Sequence, residues 1–109
     1  MHANCGHCHN DVGPLQKQTA LRLRVLTSET TVPSTGVYRT APGLVMKHVV
    51  PPDVTLALVP GDADHSGIAV RPEHRNDPWQ MPPVCTKVVD DAGVSTLRAW
   101  IDGLDAGAD

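Results

Sequence analysis

Two cysteines and a histidine near the start of the chain constrain it more than any other feature. They form the sequence Cys5-Gly6-His7-Cys8-His9. C-x-x-C-H is the attachment signature of haem c, in which each thiol can form a thioether to a vinyl group and the histidine can bind the iron. The motif therefore predicts one haem bound covalently through Cys5 and Cys8, with His9 as the proximal iron ligand.

The same side chains could hold a metal ion without a porphyrin. Zn²⁺ takes thiolate and imidazole ligands, so Cys5, Cys8 and two histidines form an alternative donor set. Zinc modules usually add a second ligand pair at matched spacing, and Cys85 alone does not supply one. A thioredoxin-like redox pair is a further alternative, although no βαβ pattern accompanies the motif. We therefore keep a small zinc- or partner-binding module as the alternative to haem.

Met81 is the candidate for the second axial ligand. It stands in Gln80-Met81-Pro82-Pro83, where the following proline disfavours helix and favours an extended methionine. His/Met ligation raises the potential of a haem relative to His alone, which suits electron transfer. Methionine can equally be a flexible core filler. Bis-His ligation is another option, although the remaining candidates are more typical of a protein surface: His2, His48, His65 and His74.

Few large side chains are available to fill an interior. The 109 residues include two Trp, one Tyr and no Phe. A chain this small gains from a covalent staple, and a buried porphyrin would supply apolar volume. The formal charge of −3, without a basic run, argues against a nucleic-acid partner. No stretch is long and apolar enough to span a membrane, and we expect a single domain over residues 1–109.

Alternating or continuous apolar residues predict short extended segments. The alternation covers residues 20–26 and 54–59, and a short apolar run covers 45–50. Residues 27–44 are rich in Thr, Ser, Pro and Gly and predict a loop. The cysteine motif itself is expected on a short helical turn.

Two helices are predicted in the second half. The shorter should be capped by Asp64 or Ser66 and run toward Arg71, and the longer should begin at Asp90 or Asp91. The longer one carries an apolar stripe, with Trp100 beside it, formed by Val94, Leu97, Ile101 and Leu104. Residues 106–109 should fray. Arg71 could pair with a haem propionate, because guanidinium binds carboxylates bidentately, or could be a solvated surface arginine.

Together these motifs resemble class I c-type cytochrome domains, and most closely the haem domain at the C-terminus of large exported bacterial proteins. The resemblance implies a mainly α fold, with cytochrome c-like helices around one haem, long loops and short extended segments. It also implies His9 and Met81 as axial ligands. The residues that carry it are 4–10, 59–62, Ser66, Arg71, 80–83, 89–90 and 97–101.

Two features depart from the family. Its first helix has almost no room here, since Met1 lies four residues before Cys5, and no signal peptide fits either. We therefore expect a fragment of a longer exported, periplasmic or extracellular protein, or else a product never loaded with haem. Cys85 stands where the family more often has a small residue. It could be a free thiol or an intermolecular partner, but we expect a buried hydrophobe.

The resemblance implies a monohaem electron carrier rather than an enzyme. Single electrons would pass to or from a redox protein, such as a dehydrogenase module on the same parent chain or an oxidase chain. A haem enzyme with a vacant sixth site is a weaker alternative.

Overall fold

A computed structural model describes residues 1–13, 15–51 and 53–105, which form two compact units. The first unit is Met1–Leu44 and the second begins at Val45. The prediction of a single domain stays a prediction, and the expected frayed tail at 106–109 lies outside the described residues. The helices and strands are, in chain order, α1 (His2–Cys5), α2 (Gly36–Thr40), β1 (Val45–Val50), β2 (Val54–Leu56), α3 (Gly67–Val70) and α4 (Asp91–Asp102).

The first unit is built around the stretch of residues 20–26. Leu21 and Leu23 are buried while Arg24 is exposed, as the alternation predicts, but Val25 on the same predicted face is exposed, so the buried face is confirmed only for the two leucines. The segment forms no strand. Its amides instead bond to neighbouring turns, as when Arg22 N donates to Thr40 Oγ1 at 3.0 Å.

The predicted loop at 27–44 is wrong, because it contains a 3₁₀ turn at Val32–Ser34 and then α2. The Thr35 side chain accepts a hydrogen bond from the Tyr38 amide at 3.4 Å and caps α2. Thr and Ser stabilise helix starts as well as loops, so composition alone does not separate the two.

In the second unit, β1 and β2 form an antiparallel pair with Val45 opposite Leu56 and Val50 opposite Val54. Strand 45–50 is confirmed, whereas only the first half of 54–59 is a strand. Ser66 fixes the chain after β2, because its hydroxyl accepts from the Val59 amide at 2.8 Å and donates to the Asp62 carbonyl at 2.7 Å. The buried apolar residues here are Val50, Val54, Ala57, Leu58, Ala63, Ala69 and Ile101.

Both predicted helices of this unit exist. The shorter is α3 between 3₁₀ turns at Ala63–His65 and Arg71–Glu73. The Asp62 side chain accepts from the His65 amide and caps the first of these turns. Helix α4 begins after Asp90, whose carboxylate accepts from the Gly93 amide at 3.0 Å, as predicted.

The predicted mainly α, cytochrome c-like fold is wrong. Among the described residues, α4 has 12 residues and every other helix has five or fewer, beside a two-stranded sheet. Most segments between the motifs form turns and irregular backbone rather than helices. Motif spacing therefore predicted local structure correctly, but it did not predict the architecture, because the helical fold of the family is absent from the described residues.

Candidate functional site: the Cys5–His9 turn and the Met81 loop

The chain from Cys5 to His9 makes one helical turn. The amides of Cys8 and His9 donate to the Cys5 carbonyl oxygen at 3.1 and 2.9 Å. Residues three and four apart lie on the same side of such a turn, so Cys5, Cys8 and His9 share one side. The predicted helical turn is confirmed, although the side chains of Cys5, Cys8 and His9 do not form one of the groups that could together hold a metal ion within the described residues.

Burial differs along this turn. Cys5 and Cys8 are half-buried, whereas His9 is only 8% exposed. Burial raises the pKa of the Cys5 thiol; the N-terminal ammonium lowers it less strongly, and Cys8 adds a smaller upward shift. Cys5 is therefore held as a neutral thiol near neutral pH.

Asn10 closes the turn, and sequence reasoning did not assign it this role. Its side chain is buried and donates from Nδ2 to the carbonyl oxygens of Gly6 at 2.9 Å and His7 at 3.0 Å. Its Oδ1 accepts from the Val12 amide at 2.9 Å. Asparagine commonly forms such local side-chain-to-backbone bonds. Its position directly after the motif is therefore the feature of the sequence that could have predicted this role.

The extended stretch passes directly over the turn. The Leu23 amide donates to the His9 carbonyl at 2.9 Å, and the Val25 amide donates to His2 Nδ1 at 2.8 Å. Gly6 permits this approach, because a Cβ there would lie 2.7 Å from the His2 carbonyl oxygen and 2.9 Å from Arg24 Cα. The backbone of the Cys5–His9 turn is therefore held by the hydrogen bond from Leu23 as well as by the bonds from the Asn10 side chain.

An open cavity of about 400 Å³ adjoins the turn. It is lined by His2, Ala3, Gly6, His7, Asn10 and Arg24. The two thiols and His9 are not part of its lining, so this cavity is distinct from the predicted ligand side chains.

The donor set of the turn fits haem c attachment. Two thiols three residues apart, followed by an imidazole, are the groups that would supply the two tethers and the proximal ligand. The zinc alternative has less support, because the described ranges contain no cluster of three or more His, Cys, Asp or Glu side chains that could hold a metal ion.

Met81 lies in the second unit, in residues 74–90, which form no helix or strand. It is half-buried, and its amide donates to the Arg71 carbonyl at 3.3 Å. Arg71 Nε in turn donates to the Trp79 carbonyl at 2.9 Å. These hydrogen bonds hold the backbone of Met81 next to that of Arg71, and both are predicted site residues.

The Arg71 guanidinium is half-buried and has no carboxylate partner within the described ranges. Burial lowers its pKa, but an arginine remains charged in a protein. An anionic group of a ligand would therefore be a suitable partner.

Cys85 is exposed, so the expectation that it is a buried hydrophobe is wrong. Its φ is 66°, in the left-handed region that favours glycine. The resemblance had marked this position as one where the family more often has a small residue, and the backbone supplies a physical reason.

The remaining histidines are not grouped at one site. His2, His48 and His65 are exposed, as expected for surface residues. His74 is half-buried, and its Nδ1 lies 2.7 Å from Asp77 Oδ2.

Within the described part of the chain, no helix has the length and apolar character needed to cross a membrane. No protein-family model, curated protein or solved structure matches this chain.

Proposed function

We propose that this chain is a monohaem c-type electron carrier, with Cys5 and Cys8 as attachment points and His9 as an axial ligand. The observation that supports the proposal is the helical turn of the backbone from Cys5 to His9, on which residues three and four apart share one side. The proposal rests on this motif and its geometry, and not on the helical fold that the resemblance implied.

Haem attachment would require one addition reaction of each cysteine thiol. Each thiol adds across a vinyl double bond, with sulfur forming the thioether and the thiol hydrogen going to the neighbouring carbon. This addition needs no oxidant and releases no leaving group. When bound, haem supplies an iron that accepts and releases single electrons. The turn itself, closed by Asn10 and covered by Leu23, orients His9.

Met81 is proposed as the second axial ligand from its sequence context, and Arg71 as the partner of a propionate. The half-buried, carboxylate-free guanidinium of Arg71 supports the second assignment. If His9 and Met81 both bound the iron, no position would be open to a substrate, which would favour electron transfer over catalysis. The partner would be another redox protein or a dehydrogenase module on a parent chain outside the cytoplasm, met through a small, transient contact.

Covalent haem attachment is the primary test. The chain should be produced with an export leader in bacteria that contain the haem c maturation machinery. The wild type and Cys85→Ser should keep haem on a denaturing gel and give a pyridine haemochrome spectrum. The Cys5→Ser/Cys8→Ser double variant should lose both signals. Colourless wild-type protein without a Soret band would disprove the proposal.

The Met81 assignment has its own test. Met81→Leu should lower the reduction potential and allow the ferrous protein to bind carbon monoxide. Met46→Leu is a matched control, because Met46 is also half-buried in the second unit. A wild-type protein that binds carbon monoxide readily would exclude Met81 as the sixth ligand.

A further inference from the structure

Gln80, directly before Met81, is a buried amide in the middle of an irregular loop. Its side chain is 9% exposed, although glutamine is mostly a surface residue. Gln80 Oε1 accepts from the Asn76 amide at 3.0 Å, and Gln80 Nε2 donates to the Thr86 carbonyl at 3.0 Å. One side chain therefore bridges both arms of the loop that contains Met81.

This bridge matters because the groups it joins are main-chain groups. Both bonds are partly buried, and an irregular loop has no regular neighbouring strand or helix turn to offer these main-chain groups other partners. Asn76 has a φ of 63°, a left-handed conformation that asparagine adopts readily, and its amide is held by the Gln80 acceptor.

The ends of the loop are tied by Arg75. Its Nη1 donates to the Pro72 and His74 carbonyls at 2.8 and 2.6 Å, and its Nη2 donates to the Val88 carbonyl at 3.2 Å. Arg75 thus links the residues before the loop to those after it. Inside the loop, the Gln80 side chain joins the backbone before Met81 to the backbone after it.

We infer that Gln80 is a positioning residue for Met81: its amide fixes the loop backbone so that the adjacent methionine is presented in one place. This inference rests on the proposed function, because it takes Met81 as an iron ligand. The main chain at the same point is fixed further, since the Gln80 amide donates to the Asp77 carbonyl and the Met81 amide to the Arg71 carbonyl, both at 3.3 Å. Losing the side-chain bridge should therefore weaken ligation without removing the ligand.

The test compares matured, haem-loaded Gln80→Leu with wild type and with Gln18→Leu. Leucine keeps most of the side-chain volume but neither hydrogen bond, and Gln18 is exposed. In Gln80→Leu the charge-transfer band of methionine bound to ferric iron should weaken. The affinity of the ferrous form for carbon monoxide should rise about tenfold, the equivalent of about 1.4 kcal/mol. Gln18→Leu should match wild type in both.

A second measurement does not depend on the iron. Hydrogen exchange of the Asn76 amide should be faster in Gln80→Leu than in wild type, with exchange in α4 unchanged. If Gln80→Leu does not fold, Gln80→Glu replaces it: this variant keeps the acceptor for Asn76, loses the donor to Thr86, and should weaken the band by a smaller amount.

The two possible failures are distinguishable. If wild-type protein shows the methionine–iron band and the folded Gln80 variant matches it in band, carbon monoxide affinity and exchange, the positioning role is wrong and the proposed function stands. If the wild type lacks the band and binds carbon monoxide like Met81→Leu, the Met81 ligand of the proposed function is wrong, and the inference about Gln80 fails with it.

Discussion

The Leu23 amide donates a hydrogen bond to the carbonyl oxygen of His9 at 2.9 Å. The side chain of Leu23 is itself buried, with 6% of its surface exposed. The backbone at the proposed iron ligand is therefore anchored to a segment whose own position is fixed by apolar packing. The main chain that carries His9 is thus held in place without help from a cofactor.

Gly6 should be intolerant of even a small side chain. In Gly6→Ala the new methyl group would meet the His2 carbonyl and Arg24 Cα, at the distances given above, so the stretch over the turn must move. We expect the free energy of unfolding to fall by about 1–3 kcal/mol, measured by urea denaturation followed by circular dichroism. Gly103→Ala is the control, because its Cβ would lie at ordinary contact distance, 3.4 Å from the Ala99 carbonyl oxygen. Equal losses in both variants would contradict the close packing at Gly6.

Asn10→Ala should destabilise the cysteine turn. The variant removes three hydrogen bonds, leaving the Gly6 and His7 carbonyls and the Val12 amide without that partner. We expect a loss of about 2 kcal/mol in the free energy of unfolding and a lower yield of covalent haem. Asn4→Ala is the control, because Asn4 is exposed. An Asn10→Ala protein as stable as the control would show that these bonds contribute nothing net.

Asp77 should make stability depend on pH in the acid range. Burial alone would raise the pKa of Asp77, but hydrogen bonds from His74 and from the Trp79 and Gln80 amides, with the His74 charge, hold that pKa below its usual value. The ionised carboxylate therefore stabilises the folded state above its unfolded pKa of about 3.9. That contribution is lost as the pH falls through the lower folded value.

Urea midpoints of wild type and Asp77→Asn should consequently differ most near neutral pH and converge as the solution is acidified. Asp53→Asn is the control, because Asp53 is exposed and asparagine tolerates its φ of 67°. A wild-type advantage over Asp77→Asn that is constant or grows toward low pH would contradict the assignment.

Cys85 should react before Cys5 in folded protein without haem. Cys85 is exposed, whereas Cys5 is half-buried with a raised pKa, and thiolate is the reactive form. Iodoacetamide should therefore modify Cys85 before Cys5, as followed by mass spectrometry of peptides over time. In concentrated urea the difference should disappear. Faster modification of Cys5 in the folded chain would show that its thiol is not protected.

Local signals predicted local structure well. The apolar stripe and the Asp90 cap located α4, the apolar run located β1, and the cysteine spacing located the helical turn at Cys5–His9. Each of these elements is set by residues that are neighbours in sequence. The family resemblance failed at the next level, because motifs fix short segments while the architecture depends on the backbone between them.

The residues that support the candidate site were harder to foresee. Asn10 and Gln80 act through side-chain bonds to main-chain groups, and such bonds leave no periodic pattern in a sequence. The exposure of Cys85 could not be predicted from the sequence either, because a lone cysteine is more often buried. Only the fold shows that its backbone is left-handed and its sulfur accessible.

That accessible sulfur has a practical consequence. The chain has three cysteines, and the proposed thioethers would consume Cys5 and Cys8. Cys85 would then be the one free thiol left in these 109 residues, four positions from Met81 along the chain. A spin label or a gold electrode coupled there would report on the chemistry of the iron without any engineered cysteine.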